Sequence, residues 1–228
     1  MGGSFFEGEF SGVGRMKRLL LDTNIYGLLT VDPELHFFHS LVERKEVDFN
    51  VYGFSVIRKE LKKAPRKIIN GVNVQASLLR TYSYFAVKEY DLESNFENLA
   101  DEYYKSYISF GGELAKEKIY TDLLIVACAS VKNVDVVVSE DNGTMWTEVF
   151  RKAYTTVNIN FNVGNPRFIK YKEFKTLFHR ATFTDPFVDG ANKFGIFLSF
   201  FYICKDIFLF LFHIHVKEKL IYKSFVIE

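Results

Sequence analysis

The sequence predicts an α/β protein in which helices cover a parallel sheet. Short apolar runs such as RLLLDT and VDVVVSED have the continuous hydrophobic character of strands that are buried on both faces. Helical patterns of about ten or more residues separate these runs along the chain. Strands that alternate with helices are typical of a parallel sheet, because each parallel connection needs a long crossover.

Composition and charge narrow the class of protein. Of the 228 residues, 48% are hydrophobic and 25% are charged, which predicts a packed core and excludes wholesale disorder. The net charge of +1 gives no overall attraction to nucleic acid, so any binding of a polyanion must use local patches. Cys128 and Cys204 form neither a metal-binding spacing nor a disulfide framework, and we therefore expect a reducing, intracellular setting.

Changes in composition divide the chain into three predicted regions. Residues 1–15 are rich in glycine and lack a sustained apolar run, so we expect a flexible leader rather than a signal peptide. Residues 16–178 carry the alternating strands and helices. Residues 179–228 form a Phe-rich extension, in which Lys205 and Asp206 divide two apolar runs that are each too short to span a membrane. We consider three alternatives for this extension: it packs on the domain or on a partner, it associates with a membrane, or it has no evolved structural role. Membrane association is the least favoured.

The first half of the domain is predicted as follows. KRLLLDT forms a strand, and a helical region from NIYGLLT to HSLVERKE is broken near Pro33. VDFNVYGFS forms the second strand, with Ser55 placed to cap the helix SVIRKELKKA, which Pro65 ends. Two further helices, NVQASLLRTYSYF and SNFENLADEYYKSYISF, lie on either side of a short strand in AVKEYDL.

The second half begins after a break at Gly111 and Gly112. TDLLIVACASVKN is predicted as a helix that Thr121 caps. VDVVVSED is predicted as a strand that ends at the turn Asn142-Gly143, and TTVNINFNV as a last strand.

Four acidic residues fall at or near the ends of these strands. Asp22 ends the first strand, Glu60 lies one to two turns into the helix after the second, Asp122 opens the TDLLIVACAS helix, and Asp141 ends VDVVVSED. Ligands of parallel sheets bind at the carboxyl ends of the strands, so we expect the four carboxylates to converge there. Clustered carboxylates repel one another unless a cation neutralises them, and hard oxygen donors suit Mg²⁺ or Mn²⁺. Such ions can activate water and stabilise the leaving oxygen of a phosphodiester.

Each acid taken alone also has a structural explanation. Asp22 is suited to cap a helix, and Glu60 to pair with a neighbouring lysine on a solvated helix face. A carboxylate at Asp122 is favoured by the helix dipole, and Asp141 is a common type of turn residue. Only their joint arrangement favours a functional site.

The same stretches carry a resemblance to a known family. LLLDTNIY, SVIRKEL, YTDLLIVACAS and VVVSED follow the order and rough spacing of PIN-domain ribonucleases, which include VapC-type toxins and stand-alone archaeal members. The resemblance covers about residues 17–165. It implies a three-layer α/β/α sandwich with a central parallel sheet, an acidic cleft that holds Mg²⁺ or Mn²⁺, and single-stranded or looped RNA as substrate.

The resemblance also assigns roles to the matched residues. The catalytic residues, which would hold metal directly, through water or by completing the shell, are Asp22, Glu60, Asp122 and Asp141. The supporting polar residues are Thr23, Asn24 and Ser139. The family usually has threonine where this chain has Ser139, and either hydroxyl can bind the neighbouring acid or a water.

Positive charge beside Glu60 can offset the repulsion between an acidic cleft and RNA. The segment RKELKKAPRK supplies the candidate RNA-binding residues Arg58, Lys62, Lys63 and Arg66. The alternative is a solubilising helix face. Tyr103, Tyr104 and Tyr107 can in principle stack bases, although such a stripe more often packs against neighbouring elements.

These observations together predict a divalent-metal-dependent ribonuclease that hydrolyses phosphodiester bonds with metal-activated water. Its role is that of the toxin of a toxin–antitoxin pair or of a processing enzyme. The alternative function is a PIN-like module that binds RNA or protein without cleaving. A phosphatase or dehalogenase with a nucleophilic aspartate is disfavoured, because DTN stands where a DxD motif is expected. The expected partners are RNA, an antitoxin protein and a second copy of the chain, in the cytoplasm.

Overall fold

The structure is a computed structural model that describes residues 16–69 and 71–181. The predicted leader and the part of the predicted extension after residue 181 lie outside the described residues. The seven strands in this part of the chain are β1 Lys17–Leu21, β2 Phe49–Phe54, β3 Ile68–Ile69, β4 Val72–Asn73, β5 Ala86–Tyr90, β6 Val136–Val138 and β7 Arg167–Ile169. The eight helices are α1 Thr23–Val31, α2 Leu35–Glu43, α3 Ser55–Leu61, α4 Val74–Phe85, α5 Ser94–Ser109, α6 Lys116–Val131, α7 Glu148–Phe161 and α8 Tyr171–Ala181.

Five of these strands form one parallel sheet in the order β5-β2-β1-β6-β7. Strand β1 is central, and Leu20 pairs with Tyr52 on one side and with Val137 on the other. The remaining two strands form a small antiparallel hairpin, in which Gly71 has φ +77°, a value that favours glycine. The predicted fold class, α/β with a central parallel sheet flanked by helices, is confirmed.

The centre of the sheet is apolar on both faces. Leu19, Leu20 and Leu21 are fully buried, although consecutive residues of a strand point to opposite sides. The three valines of β6 are also buried. Helices α5, α6 and α7 pack together, and α1 packs with α2, α3 and α4. A strand that is buried on both faces ends where its first polar residue meets an edge of the sheet, so β1 and β6 bring Asp22 and Ser139 to that edge.

Helix α8 adds an aromatic cluster to the α2 side of the domain. Phe178 stacks on Phe38 with ring centroids 4.4 Å apart and meets Phe49 edge-on at 5.1 Å. Phe174 and Phe178 are fully buried. This packing holds α8 against the domain. No helix in it is both long enough and apolar enough to cross a membrane.

Several predicted elements differ from the structure. TTVNINFNV belongs to helix α7 instead of a strand, because Phe150, Ala153, Tyr154 and Val157 form one buried face at helical spacing. Helix α6 begins at Lys116 instead of Thr121, so Thr121 is not its cap.

Two predicted helix boundaries near the second strand also change. The Ser55 hydroxyl accepts a hydrogen bond from Leu92 N at 3.1 Å and makes no cap, since Phe54 is the N-cap of α3. Helix α3 ends at Leu61, before Pro65. The short strand β7 and helix α8 were not predicted.

Candidate functional site

The candidate site lies at the carboxyl ends of β1 and β6, which are neighbours in the sheet. Asp22 is the first residue after β1, and its backbone N–H donates to Val138 O across 2.9 Å. Ser139 is the first residue after β6, and Asp141 follows two positions later. The parallel pairing of β1 and β6 therefore places the residues of both strand ends at one edge of the sheet.

Asp22 is a buried carboxylate, only 4% exposed, that is held by three donors. Its Oδ1 accepts from Thr23 N at 2.6 Å, and its Oδ2 accepts from Asn24 Nδ2 and Ser139 Oγ, both at 2.7 Å. The Ser139 hydroxyl also accepts a hydrogen bond from Asp141 N at 3.0 Å. Ser139 thus links the acid at the end of β1 to the loop that carries Asp141.

Asp122 and Asp141 meet at the hydroxyl of Thr144. Thr144 Oγ1 lies 2.9 Å from Asp122 Oδ2 and 2.5 Å from Asp141 Oδ2. The other oxygen of Asp141 accepts from Gly143 N at 2.7 Å, so the loop folds back on this carboxylate. Asp122 lies in the second turn of α6 instead of opening the helix as predicted, because α6 starts six residues before it.

The Thr144 hydroxyl faces two carboxylate oxygens but has one hydrogen to donate. A hydroxyl has a single hydrogen and can donate to only one acceptor at a time. Both Asp122 and Asp141 approach Thr144 Oγ1 within hydrogen-bond distance. Thr144 can therefore donate to only one of the two carboxylates at a time, and the oxygen of the other is left for a different donor or for a cation.

Burial and repulsion make protonation of these acids easier. Burial is the main cause that raises the pKa of Asp22 from 3.8 to about 6, and Asp141 and Glu60 raise it further by repulsion, against the hydrogen bonds from Ser139 and Thr23. Burial likewise raises the pKa of Asp122 to about 7, with added repulsion from Asp22, Asp141 and Glu60. Asp22 and Asp122 therefore each interact electrostatically with other acids of this group.

Glu60 joins this group through Thr23. The Thr23 hydroxyl donates to Glu60 Oε2 across 2.5 Å, which connects helix α3 to the first turn of α1. No ion pair between Glu60 and a lysine occurs in the part of the chain that the structure describes, so the predicted salt-bridge alternative is not found. The structural alternatives for the other two acids match their contacts. Asp22 caps helix α1, and Asp141 accepts a hydrogen bond within its turn. Asp141 also contributes to the electrostatic environment of Asp22.

The donor set fits a hard divalent cation in its chemistry. All the side chains that face the site offer oxygen, and a positive charge would relieve the repulsion that raises the pKa of Asp22 and Asp122. Within residues 16–69 and 71–181, however, no three acidic, histidine or cysteine side chains lie close enough to form a ready-made metal site. Instead, the carboxylate oxygens accept hydrogen bonds from hydroxyl groups. The donors are the side chains of Ser139, Thr144 and Thr23.

The predicted RNA-binding residues are exposed and lie on or just after α3. Arg58 is not free, because its Nη1 lies 3.4 Å from Glu89 Oε1 in an ion pair. Arg66 donates to Gln75 Oε1 at 3.2 Å, whereas Lys62 and Lys63 extend a positive surface. The tyrosine stripe has the packing role, since Tyr103 and Tyr107 are buried.

Sequence reasoning missed Thr144 and Trp146. Thr144 is 6% exposed, and it touches two of the acids. Trp146 donates from Nε1 to Ser139 O at 3.0 Å. A signal for Thr144 was available, because a threonine three residues after Asp141 can return to that carboxylate in a turn. The position of Trp146 depends on the tertiary fold and has no local signal.

Three comparisons with known proteins give the following results. No family model matches the chain, and no curated protein matches it. Among solved structures, the chain is similar to VapBC2 from Rickettsia felis bound to a DNA fragment from its promoter, with 15% identity, a TM-score of 0.44 and coverage of 67% of this chain and 98% of that one.

Two further solved structures are similar over the same share of this chain. FitAB bound to an IR36 DNA fragment has 16% identity, a TM-score of 0.42 and 94% coverage of its own chain. FitAcB from Neisseria gonorrhoeae has 15% identity, a TM-score of 0.41 and 97% coverage. These neighbours are VapC-like and FitB-type PIN-domain proteins, the family that the sequence resembles.

Proposed function

We propose that this chain is a divalent-metal-dependent ribonuclease. The observation that carries the proposal is the convergence of Asp22, Glu60, Asp122 and Asp141 at the carboxyl edge of the central strands. Two of these acids have pKa values raised to about 6 and about 7. Bringing such a group of acids together lowers the free energy of unfolding unless a cation offsets their negative charge.

Each residue of this site would have its own role in the reaction. Mg²⁺ or Mn²⁺ held by the four acids would supply a Lewis acid and lower the pKa of a bound water. Ser139 and Thr144 keep three carboxylates in place by hydrogen bonds that connect separate elements of the fold. Thr23 orients Glu60, and Asn24 orients Asp22. No histidine, cysteine or serine nucleophile is required by this scheme.

RNA is the proposed substrate because a site of this kind acts on phosphodiesters and the surrounding surface carries cationic side chains. Lys62 and Lys63 follow Glu60 closely in the chain, and their exposed ammonium groups suit phosphate oxygens. The proposed setting is the cytoplasm. A second copy of the chain and an antitoxin that covers the cleft are further proposed partners.

Cleavage of a mixed pool of structured and unstructured RNAs tests the proposal. Wild type should cut in Mg²⁺ or Mn²⁺ and fail in EDTA, and Asp22→Asn should fail in all conditions while remaining folded by circular dichroism. Glu102→Gln, which changes a half-exposed acid on α5 that pairs with Lys105 outside the site, should cut as wild type does. Binding of RNA without cleavage under every metal condition would favour the non-catalytic module instead.

A further inference from the structure

A groove with an aromatic and cationic lining lies beside the acidic site. It consists of two recesses, each of about 580 Å³, that share Trp146, Arg151 and Thr155 in their walls. One recess continues towards Lys152 and the other towards Arg167. We define these walls as the α7 groove, because most of the lining residues belong to the first turns of that helix. Each recess has the volume of an ordinary small-ligand site.

Hydrogen bonds link the wall of the α7 groove to the acids. Its aromatic wall, Trp146, donates to Ser139 O, and Ser139 in turn holds Asp22. Trp146 is also two residues from Thr144, whose hydroxyl touches Asp122 and Asp141. A chain that occupies the groove therefore contacts the loop between β6 and α7, which also carries Ser139, Asp141 and Thr144.

One recess of the groove is also lined by a buried tyrosine. Tyr154 lines one recess and is 1% exposed, and its hydroxyl has no hydrogen-bond partner among the described residues. Burial, followed by repulsion from Asp122, raises the pKa of this phenol. Tyr154 thus places in the groove lining a buried hydroxyl donor that no described protein group satisfies.

The charges of the groove favour an anionic ligand. Lys152 is paired with Glu148 at 2.7 Å and Arg167 with Glu173 at 3.3 Å. Arg151 is exposed on the same helix face, and no acidic partner for its side chain occurs in the described part of the chain. Its guanidinium is therefore the cation that is most available to a phosphate.

Trp146 provides a stacking surface in the same walls. Lys170 Nζ lies 4.5 Å from the centroid of its ring and also contacts Asn142 Oδ1 at 2.6 Å. The indole is therefore fixed by Ser139 on its nitrogen and by Lys170 over its ring. A fixed, half-exposed indole beside a cation has the composition of sites that stack single-stranded bases and bind their phosphates.

We propose that the α7 groove binds single-stranded RNA, with a base stacked on Trp146 and a phosphate on Arg151. The inference rests on the proposed ribonuclease function and names the surface that brings substrate to that site. Single-stranded RNA suits the groove because the bases of a duplex are already stacked on one another and do not expose their faces.

The chain offers a direct probe of this contact, because Trp146 is its single tryptophan. Selective excitation of tryptophan fluorescence therefore reports on this residue alone. The ligand is an unstructured twelve-nucleotide RNA, roughly three times the shortest single-stranded site sizes, with a fluorescein label for a parallel anisotropy measurement. Both titrations are made in EDTA, so that binding is measured without cleavage.

Wild type should show saturable quenching of Trp146 with the same Kd as the anisotropy change. Arg151→Ala should weaken binding about tenfold, a size typical of losing one charge-assisted contact. Arg80→Ala removes the same charge from an exposed position on α4 and should bind as wild type. Trp146→Phe, which keeps an aromatic ring, should weaken binding less than Trp146→Leu.

The assignment of the groove would be overturned if RNA bound by anisotropy without a change in tryptophan fluorescence and if Arg151→Ala and Arg80→Ala had equal Kd values. The ribonuclease proposal would survive that result if Asp22→Asn still abolished cleavage. Quenching and the Arg151 effect without any metal-dependent cleavage would support the groove and overturn the ribonuclease. Equal binding and equal quenching by a duplex of the same sequence would contradict the single-stranded assignment.

Discussion

The hydroxyl of Thr144 lies 2.9 Å from Asp122 Oδ2 and joins the loop after β6 to helix α6. The same oxygen contacts Asp141, so one side chain positions two of the four acids. This bridge connects residues that are 22 positions apart in the chain, and it makes the geometry of the site depend on a residue that carries no charge.

Replacing Thr144 tests the importance of that bridge. Thr144→Val keeps the side-chain volume but removes the hydroxyl, so Asp122 loses a donor and its pKa should rise further. We expect metal-dependent RNA cleavage to fall by about tenfold to a hundredfold, the range of supporting contacts to metal ligands. Thr144→Ser should restore most of the rate. Equal rates for the valine and serine variants would show that the hydroxyl does not matter.

The stability of the protein should fall as the pH rises. Asp22 has a pKa of about 6 in the folded protein, above its ordinary value of 3.8, so the folded state holds this proton more tightly than the unfolded chain. The contribution is fully present below about pH 4 and is lost through about pH 6, a change of roughly 3 kcal/mol in the free energy of unfolding. Urea denaturation in EDTA across this range measures it.

Asp122 adds to the same dependence at slightly higher pH, because its pKa is about 7. Asp122→Asn removes this titration and lets the amide donate to Thr144 Oγ1. At about pH 8 and without metal, we expect this variant to be more stable than wild type. A stability of wild type that increases between about pH 5 and about pH 8 would contradict the assigned burial of these carboxylates.

A divalent cation should stabilise the folded protein. Mn²⁺ at roughly 100 times its Kd should add about 2.7 kcal/mol to the free energy of unfolding, and thermal denaturation at about pH 8 detects such a change. Asp122→Asn should lose this response, whereas Glu102→Gln, which changes a half-exposed acid on α5 outside the site, should retain it. The same Mn²⁺ response in both variants would place the cation outside the site.

The lysines after α3 should affect RNA binding through salt dependence. Lys62→Gln and Lys63→Gln each remove an exposed charge near Glu60, and each should reduce the slope of log K against log salt by about 0.7. Anisotropy titrations at several salt concentrations give this slope. Unchanged slopes would mean that the segment is only a solubilising face.

The sequence predicted the fold class and the placement of Asp22 and Asp141 after neighbouring strands because both depend on local patterns. Asp22 and Asp141 follow runs of leucine and valine that are buried on both faces, and parallel pairing then places both strand ends together. Helices α4 and α5 were also predicted, since their apolar spacing is regular and Asn73 caps the first of them.

Other features were missed because tertiary packing decides them. The segment TTVNINFNV is rich in β-branched residues, which favour strands, yet Thr147 caps helix α7 and Tyr154 is buried on its face. The three-residue strand β7 is too short to show a period. The role of Trp146 depends on its contact with Ser139, which no local pattern contains.

The rate of cleavage of an end-labelled single-stranded RNA, measured against Mn²⁺ concentration, tests the central claim most directly. The account predicts a rate that is absent in EDTA, saturates with Mn²⁺, and is lost in Asp122→Asn but kept in Glu102→Gln. Cleavage that persists in EDTA or in Asp122→Asn would contradict it, as would a folded, Mn²⁺-stabilised wild type that leaves the RNA intact.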